Sequence, residues 1–137
     1  MDNAIGRKNM AFGFFYLLVT TVTGLYLADS LVDGITGLSL TGAQRAALAS
    51  ALLQANIDSI LNVVAGYFLC RLPFVDWFSK TVSLLMIAGA LLHSGVMYMT
   101  GFGLNNFVLH LAPVGAFLII SVMLLMGVGV ISIRAVK

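Results

Sequence analysis

The sequence predicts an all-α integral membrane protein, a single domain folded as a bundle of four transmembrane helices. Composition is the first observation: 61% of residues are hydrophobic and 9% are charged, with a mean hydropathy of +1.07. Soluble domains carry roughly 25% charged residues, so this chain could not cover a water-facing surface. Length is the second. Four apolar stretches of ~20 to 25 residues, each long enough to cross a bilayer, use nearly all of the 137 residues. The third is the placement of Lys and Arg, which alternates from one inter-helix segment to the next.

The first span is expected over residues 10–32, ending near Asp29, Asp33 and Gly34. Arg7 and Lys8 precede it as in a signal peptide, but the apolar run continues to Ala28 without an A-x-A-like cleavage site. It reads as a retained helix. A loop containing Gly34, Gly37 and Gly42 follows, with Thr41 placed to cap the second helix over residues 43–72. Pro73 ends that helix, because proline lacks an N–H and disfavours helical geometry in the residue before it. The third span is expected over 76–100. Gly101, Gly103, Asn105 and Asn106 reverse the chain into a fourth span over 107–133, with Pro113 in its first turns.

Six of the seven basic residues fall on one side: Arg7 and Lys8, Arg71 and Lys80, Arg134 and Lys137. Only Arg45 falls on the other. By the positive-inside rule both termini and the middle loop are cytoplasmic, which in a bacterium means the inner membrane. Small residues recur along the spans (Gly13, Gly24, Gly66, Gly89, Gly115), as close helix packing in lipid requires. Met97, Met99, Met123 and Met126 read as gap-fillers. The single cysteine, Cys70, excludes an internal disulfide and argues against paired-thiol redox chemistry. With no basic run, nucleic acid is not an expected partner; the lipid bilayer is.

Polar side chains at membrane depth are expensive, so function is sought among them. All five acids are Asp, and Asp58 alone lies deep within a span. Gln54, Asp58 and Asn62 recur at i,i+4 and form one stripe, whereas Asn56 lies about 120° round from Asn62. The third span supplies His93, Ser94 and Tyr98, and the fourth supplies His110. Two histidines without close ligand spacing make no metal site. Asp58 is the candidate proton donor, and Asn62 and Tyr98 are candidates to line a cavity with it.

The opening Arg7-Lys8-Asn9-Met10, the Leu61-Asn62 step, Ser79-Lys80-Thr81, Tyr98, Leu111-Ala112-Pro113 and the basic tail resemble the styrene oxide isomerase family. These are small four-helix membrane enzymes related in architecture to hydroxylaminobenzene mutases. The resemblance implies a homotrimer that binds haem b and opens an epoxide to a carbonyl compound, ferric iron acting as Lewis acid. It further implies that Asn62 orients substrate and that Tyr98 belongs to the active site. The family's axial histidine falls on Asn56, and asparagine is not a usual haem ligand. Haem would then be held by His93, His110 or Tyr98; otherwise Asp58 would act as general acid without it.

The function expected is therefore a membrane isomerase rearranging a small apolar substrate, with Tyr98, Asn62, Asp58 and Asn56 as its site. Hydroxyl transfer of the mutase type is the related alternative. A small transporter is another, although the first span offers only Thr20, Thr21 and Thr23 at its middle, and no inverted repeat is visible. An accessory subunit without chemistry is the last.

Overall fold

The computed structural model describes residues 4–31, 40–104 and 106–132. Gly34, Gly37, Asn105 and the basic tail at Arg134 and Lys137 lie outside the described residues. The described chain is helical, and four helices are long and apolar enough to cross a membrane: Ala4–Ser30, Gly42–Arg71, Asp76–Gly101 and Leu109–Ser132. At about 1.5 Å per residue, each exceeds a hydrocarbon core of ~30 Å.

The first helix begins at Ala4, six residues before the expected 10. Arg7 and Lys8 do not stop it, since their exposed side chains reach water from the helix end while the backbone bonds continue. A tertiary contact covers these turns: Gly6 packs on Gly66 and Cys70. The second helix, Gly42–Arg71, opens with a reciprocal capping box. The Thr41 hydroxyl accepts from the Gln44 N–H, and the Gln44 side chain accepts from the Thr41 N–H at 2.9 Å. Leu72 is extended, and Pro73 follows.

The third helix runs from Asp76 to Gly101 and contains a π-helical turn at Leu91–Gly95. Gly103 ends it in the left-handed region, with φ of 78°, a conformation that glycine adopts without a Cβ penalty. A 3-10 segment, Asn106–Leu111, leads into the α-helix Ala112–Ser132. Pro113 is thus the second residue of that helix, where its missing N–H costs nothing, and it starts the helix rather than kinking it.

Close approaches set the register. Along the first helix Gly6, Gly13 and Gly24 meet Gly66 and Cys70, Ser59 and Val63, and Leu52 in turn, which is an antiparallel pairing. A Cβ on Gly13 would lie 2.6 Å from the Ser59 carbonyl oxygen, so only glycine fits. On the third helix Gly101 receives Leu48, and on the fourth Gly115 rests against the backbone of Leu92 and His93. Arg7, Lys8, Arg71 and Lys80 consequently gather at one end. Arg45 sits at the other, donating from Nη2 to the Ser30 carbonyl at 2.9 Å.

Burial is inverted relative to a soluble protein. Phe14, Phe15, Leu18, Leu25, Leu53, Ile60, Phe117 and Leu124 face outward, while Asn9, Thr20, Asp58, Ser59, Asn62, Ser83 and Ser94 are buried. Lipid-facing side chains need only be apolar, whereas interior positions can satisfy polar groups against one another. Two apolar clusters bracket the polar interior. Tyr16, Leu48, Ala51, Ala55, Ala90 and Tyr98 form one; Ala65, Leu69, Val82, Met86, Ile119 and Val122 form the other.

Candidate functional site: a carboxylate–imidazole pair at mid-membrane

Asp58 lies near the middle of the second helix and is 2% exposed. Across from it the third helix makes its π turn, and two consecutive residues of that turn reach the carboxylate. Ser94 Oγ lies 2.6 Å from Oδ2, and His93 Nδ1 lies 3.2 Å from Oδ2 and 3.3 Å from Oδ1. Neighbours in a regular helix diverge by about 100°. The wider π turn occurs where both must converge, and such turns recur at functional sites.

Donor roles follow from proton counting. With Asp58 ionised its carboxylate only accepts, so Ser94 donates its proton to Oδ2 and His93 donates from Nδ1. Ser94 Oγ then accepts from the Tyr16 hydroxyl at 2.9 Å. The order is Tyr16 to Ser94 to Asp58, with His93 as a second donor.

One turn further toward the basic end lies another chain. The Asp58 backbone carbonyl can only accept, so Asn62 must turn its Nδ2 toward it (2.9 Å). That leaves Asn62 Oδ1 to accept from Asn9 Nδ2 at 3.2 Å, and Asn9 Oδ1 to accept from Ser83 Oγ. A single carbonyl thus fixes the orientation of both amides. Three helices are tied together, and Asn9 and Asn62 are both fully buried. The amide that the resemblance assigns to substrate is committed to protein at both ends.

Tyr98 packs its ring edge-on to Tyr16, with centroids 6.5 Å apart at 88°. Its buried hydroxyl has no partner in hydrogen-bond geometry. The nearby Thr20 hydroxyl instead donates to the Tyr16 carbonyl at 2.9 Å. The other candidates lie apart. Gln54 is half-buried on the Asp58 stripe, and Asn56 is exposed on the outer face of the second helix. His110 is exposed in the 3-10 segment before the fourth helix, and the partners of the Asp58 carboxylate are His93 and Ser94.

Asn9, Tyr16 and Ser83 were not singled out from sequence. Asn9 and Tyr16 are seven residues apart, two turns on one helical face, and that spacing within an apolar run is the signal that could have found them. Among the described residues no three His, Cys, Asp or Glu side chains cluster as a metal site.

Haem needs an axial donor and a slot for the macrocycle. His93 has a suitable donor arrangement, an imidazole held through Nδ1 by a carboxylate. None of the grooves described, however, is lined by His93, His110 or Tyr98. The Asn56 amide points outward. Among the described residues, this set does not fit haem. Compared with protein-family models, with curated proteins and with solved structures, the chain finds no match.

Proposed function

We propose that the protein is a membrane-embedded isomerase that rearranges a small apolar epoxide, or a related strained oxygen compound, to a carbonyl product. The observation carrying this reading is the carboxylate–imidazole pair at mid-membrane, held by a π turn in an otherwise apolar bundle. Asp58 is too enclosed to meet substrate. His93 is 17% exposed, so it is the member that can.

In this reading Asp58 holds the imidazole through Nδ1 and offsets its charge when it is protonated. The Nε2–H donates to the epoxide oxygen, and the carbon–oxygen bond at the carbon best able to bear positive charge breaks. A hydride then moves to that carbon from the one that keeps the oxygen. As the carbonyl forms, the hydroxyl proton returns to Nε2, so neither acid nor electrons are consumed. Proton donation of this kind contributes ~10²- to 10⁴-fold. The Tyr16–Ser94 chain supports the pair from the carboxylate's other side. The basic end faces the cytoplasm by the positive-inside rule, and a homotrimer in a bacterial inner membrane follows from the resemblance.

The test is turnover of an aryl epoxide by the reconstituted protein, with product followed by NMR. Asp58→Asn and His93→Gln should each lower the rate by ~10²-fold or more while the protein still inserts. Undiminished turnover in both would remove the proposal. A second reading, an accessory subunit without chemistry, draws support from the Ser83–Asn9–Asn62 chain, which is internally satisfied. It expects no turnover in the wild type.

A further inference from the structure

At the basic end of the bundle, the link from the second helix to the third and the last two turns of the fourth enclose a groove of ≈490 Å³. That lies within the ~300 to 1,000 Å³ typical of ligand pockets. Residues 73–75 and Phe78 make one wall. Leu125, Val128, Gly129 and Ser132 make the other; they follow one another at three, four and seven residues along a regular α-helix and so share one face. Two rings shape the recess. Phe74 and Phe78 pack 4.9 Å apart, and a Cβ on Gly129 would lie 2.8 Å from Phe74 and 3.2 Å from Phe78. The fourth helix therefore meets the rings with bare backbone. What the groove offers an occupant is hydrocarbon contact. Its one polar side chain, Ser132, donates its proton to the Val128 carbonyl at 2.8 Å. Val75 and Val128 are exposed, so the mouth opens toward lipid.

Charge lies at the same end. Among the described residues there, Arg7, Lys8, Arg71 and Lys80 are basic and exposed, and Asp76 is the one acid. Two of the four bases bracket the groove's first wall in sequence. Arg71 stands two residues before Pro73, its guanidinium 5.4 Å from the centre of the Tyr67 ring, and Lys80 stands two residues after Phe78. Trp77, exposed and edge-on to Phe78 at 6.0 Å, is the kind of aromatic residue that sits at headgroup level. We infer that the groove seats an acyl chain of an anionic phospholipid whose headgroup is met by Arg71 and Lys80. The walls take the chain and the net positive rim selects the head, as basic openings between membrane helices do. A zwitterionic lipid satisfies the walls but not the rim. An anion without a chain satisfies the rim but not the walls. The site is separate from Asp58 and stands whether or not the pair there is catalytic.

Trp77 is the one tryptophan in the chain, and it adjoins the groove through Phe78, so its fluorescence reports what lies there. The full chain is reconstituted in phosphatidylcholine bilayers. Its emission is then quenched with phosphatidylglycerol or phosphatidylcholine brominated on the acyl chains, at matched mole fractions. The inference expects phosphatidylglycerol to reach half-quenching at a mole fraction about fivefold lower, the preference that one cation near the surface contributes. Arg71→Gln should remove most of that preference. Val128→Phe and Leu125→Phe, each filling the groove, should bring the two lipids level; continued quenching by phosphatidylcholine shows that the variants insert. Ile120→Phe, on the lipid-facing surface outside the groove, should keep the wild-type preference. Equal quenching by both lipids in the wild type would overturn the inference. So would an undiminished preference in both filled variants, since surface charge alone would then account for it.

Discussion

Asn62 separates a structural role from a catalytic one. Replacing it with alanine removes the acceptor of Asn9 Nδ2 (3.2 Å) and the donor to the Asp58 carbonyl. Interhelical hydrogen bonds in membranes average about 0.6 kcal/mol and reach about 1.7. An orphaned buried polar group costs a further ~1 to 3 kcal/mol, here the Asn9 amide, which has no exposure through which to find water. Asn62→Ala should therefore destabilise the bundle by ~2 to 4 kcal/mol. The assay is SDS titration in mixed micelles, followed by circular dichroism. A double-mutant cycle with Asn9→Ala isolates the pair and should return a coupling of ~0.6 to 1.7 kcal/mol, because removing the second partner costs little once the first is gone. Additivity within about 0.5 kcal/mol would refute the chain drawn from Ser83 to Asp58. Wild-type stability with lost epoxide turnover would return Asn62 to the substrate.

Two more outcomes test the fold. Gly66→Ala places a Cβ 2.5 Å from the Gly6 carbonyl and 2.8 Å from the Met10 N–H, both backbone that cannot yield. It should cost ~1 to 3 kcal/mol by overpacking in the same titration, whereas Gly127→Ala meets nothing within 4 Å and should be neutral or gain up to ~1 kcal/mol. Orientation is read by an impermeant maleimide in a Cys70→Ala background. Lys8→Cys should label from the cytoplasmic face and Gly42→Cys from the other; the opposite pattern would invert the topology.

The fold was largely legible because the bilayer asks one question of every stretch, whether it is apolar for long enough, and proline and glycine punctuate the answers. The second helix ends at Arg71, one residue from the expected 72. The first helix starts at Ala4, six residues before the span expected from residue 10. Charge at a helix end stops nothing, and what holds those turns is the contact of Gly6 with Gly66, a tertiary fact. The π turn was hidden for the same reason. Leu91–Gly95 differs little in composition from the helix around it, and its neighbours are Asp58 on the second helix and Gly115 on the fourth.

The site was half legible. Asp58 declares itself by charge, and its stripe by spacing. The histidine it binds could be named from sequence but not paired, since residues 58 and 93 meet only through helix register. Geometry then changes what each polar group can do. Two hydrogen-bond chains run to residue 58, one ending on its carbonyl and the other on its carboxylate. A group whose bonding is committed inside the bundle, as in the first chain, has little left to offer a substrate. Asn62, the amide the resemblance favours, is in that position. His93 differs, because its second nitrogen lies on the side of the ring that the core does not cover. If chemistry occurs here, substitutions along the Ser83–Asn9–Asn62 chain should lower stability before they lower rate. Those at His93 remove one of two donors to the buried Asp58 carboxylate and so cost stability as well, but they should lower rate by more than that loss explains, and that excess is what a purely structural network could not produce.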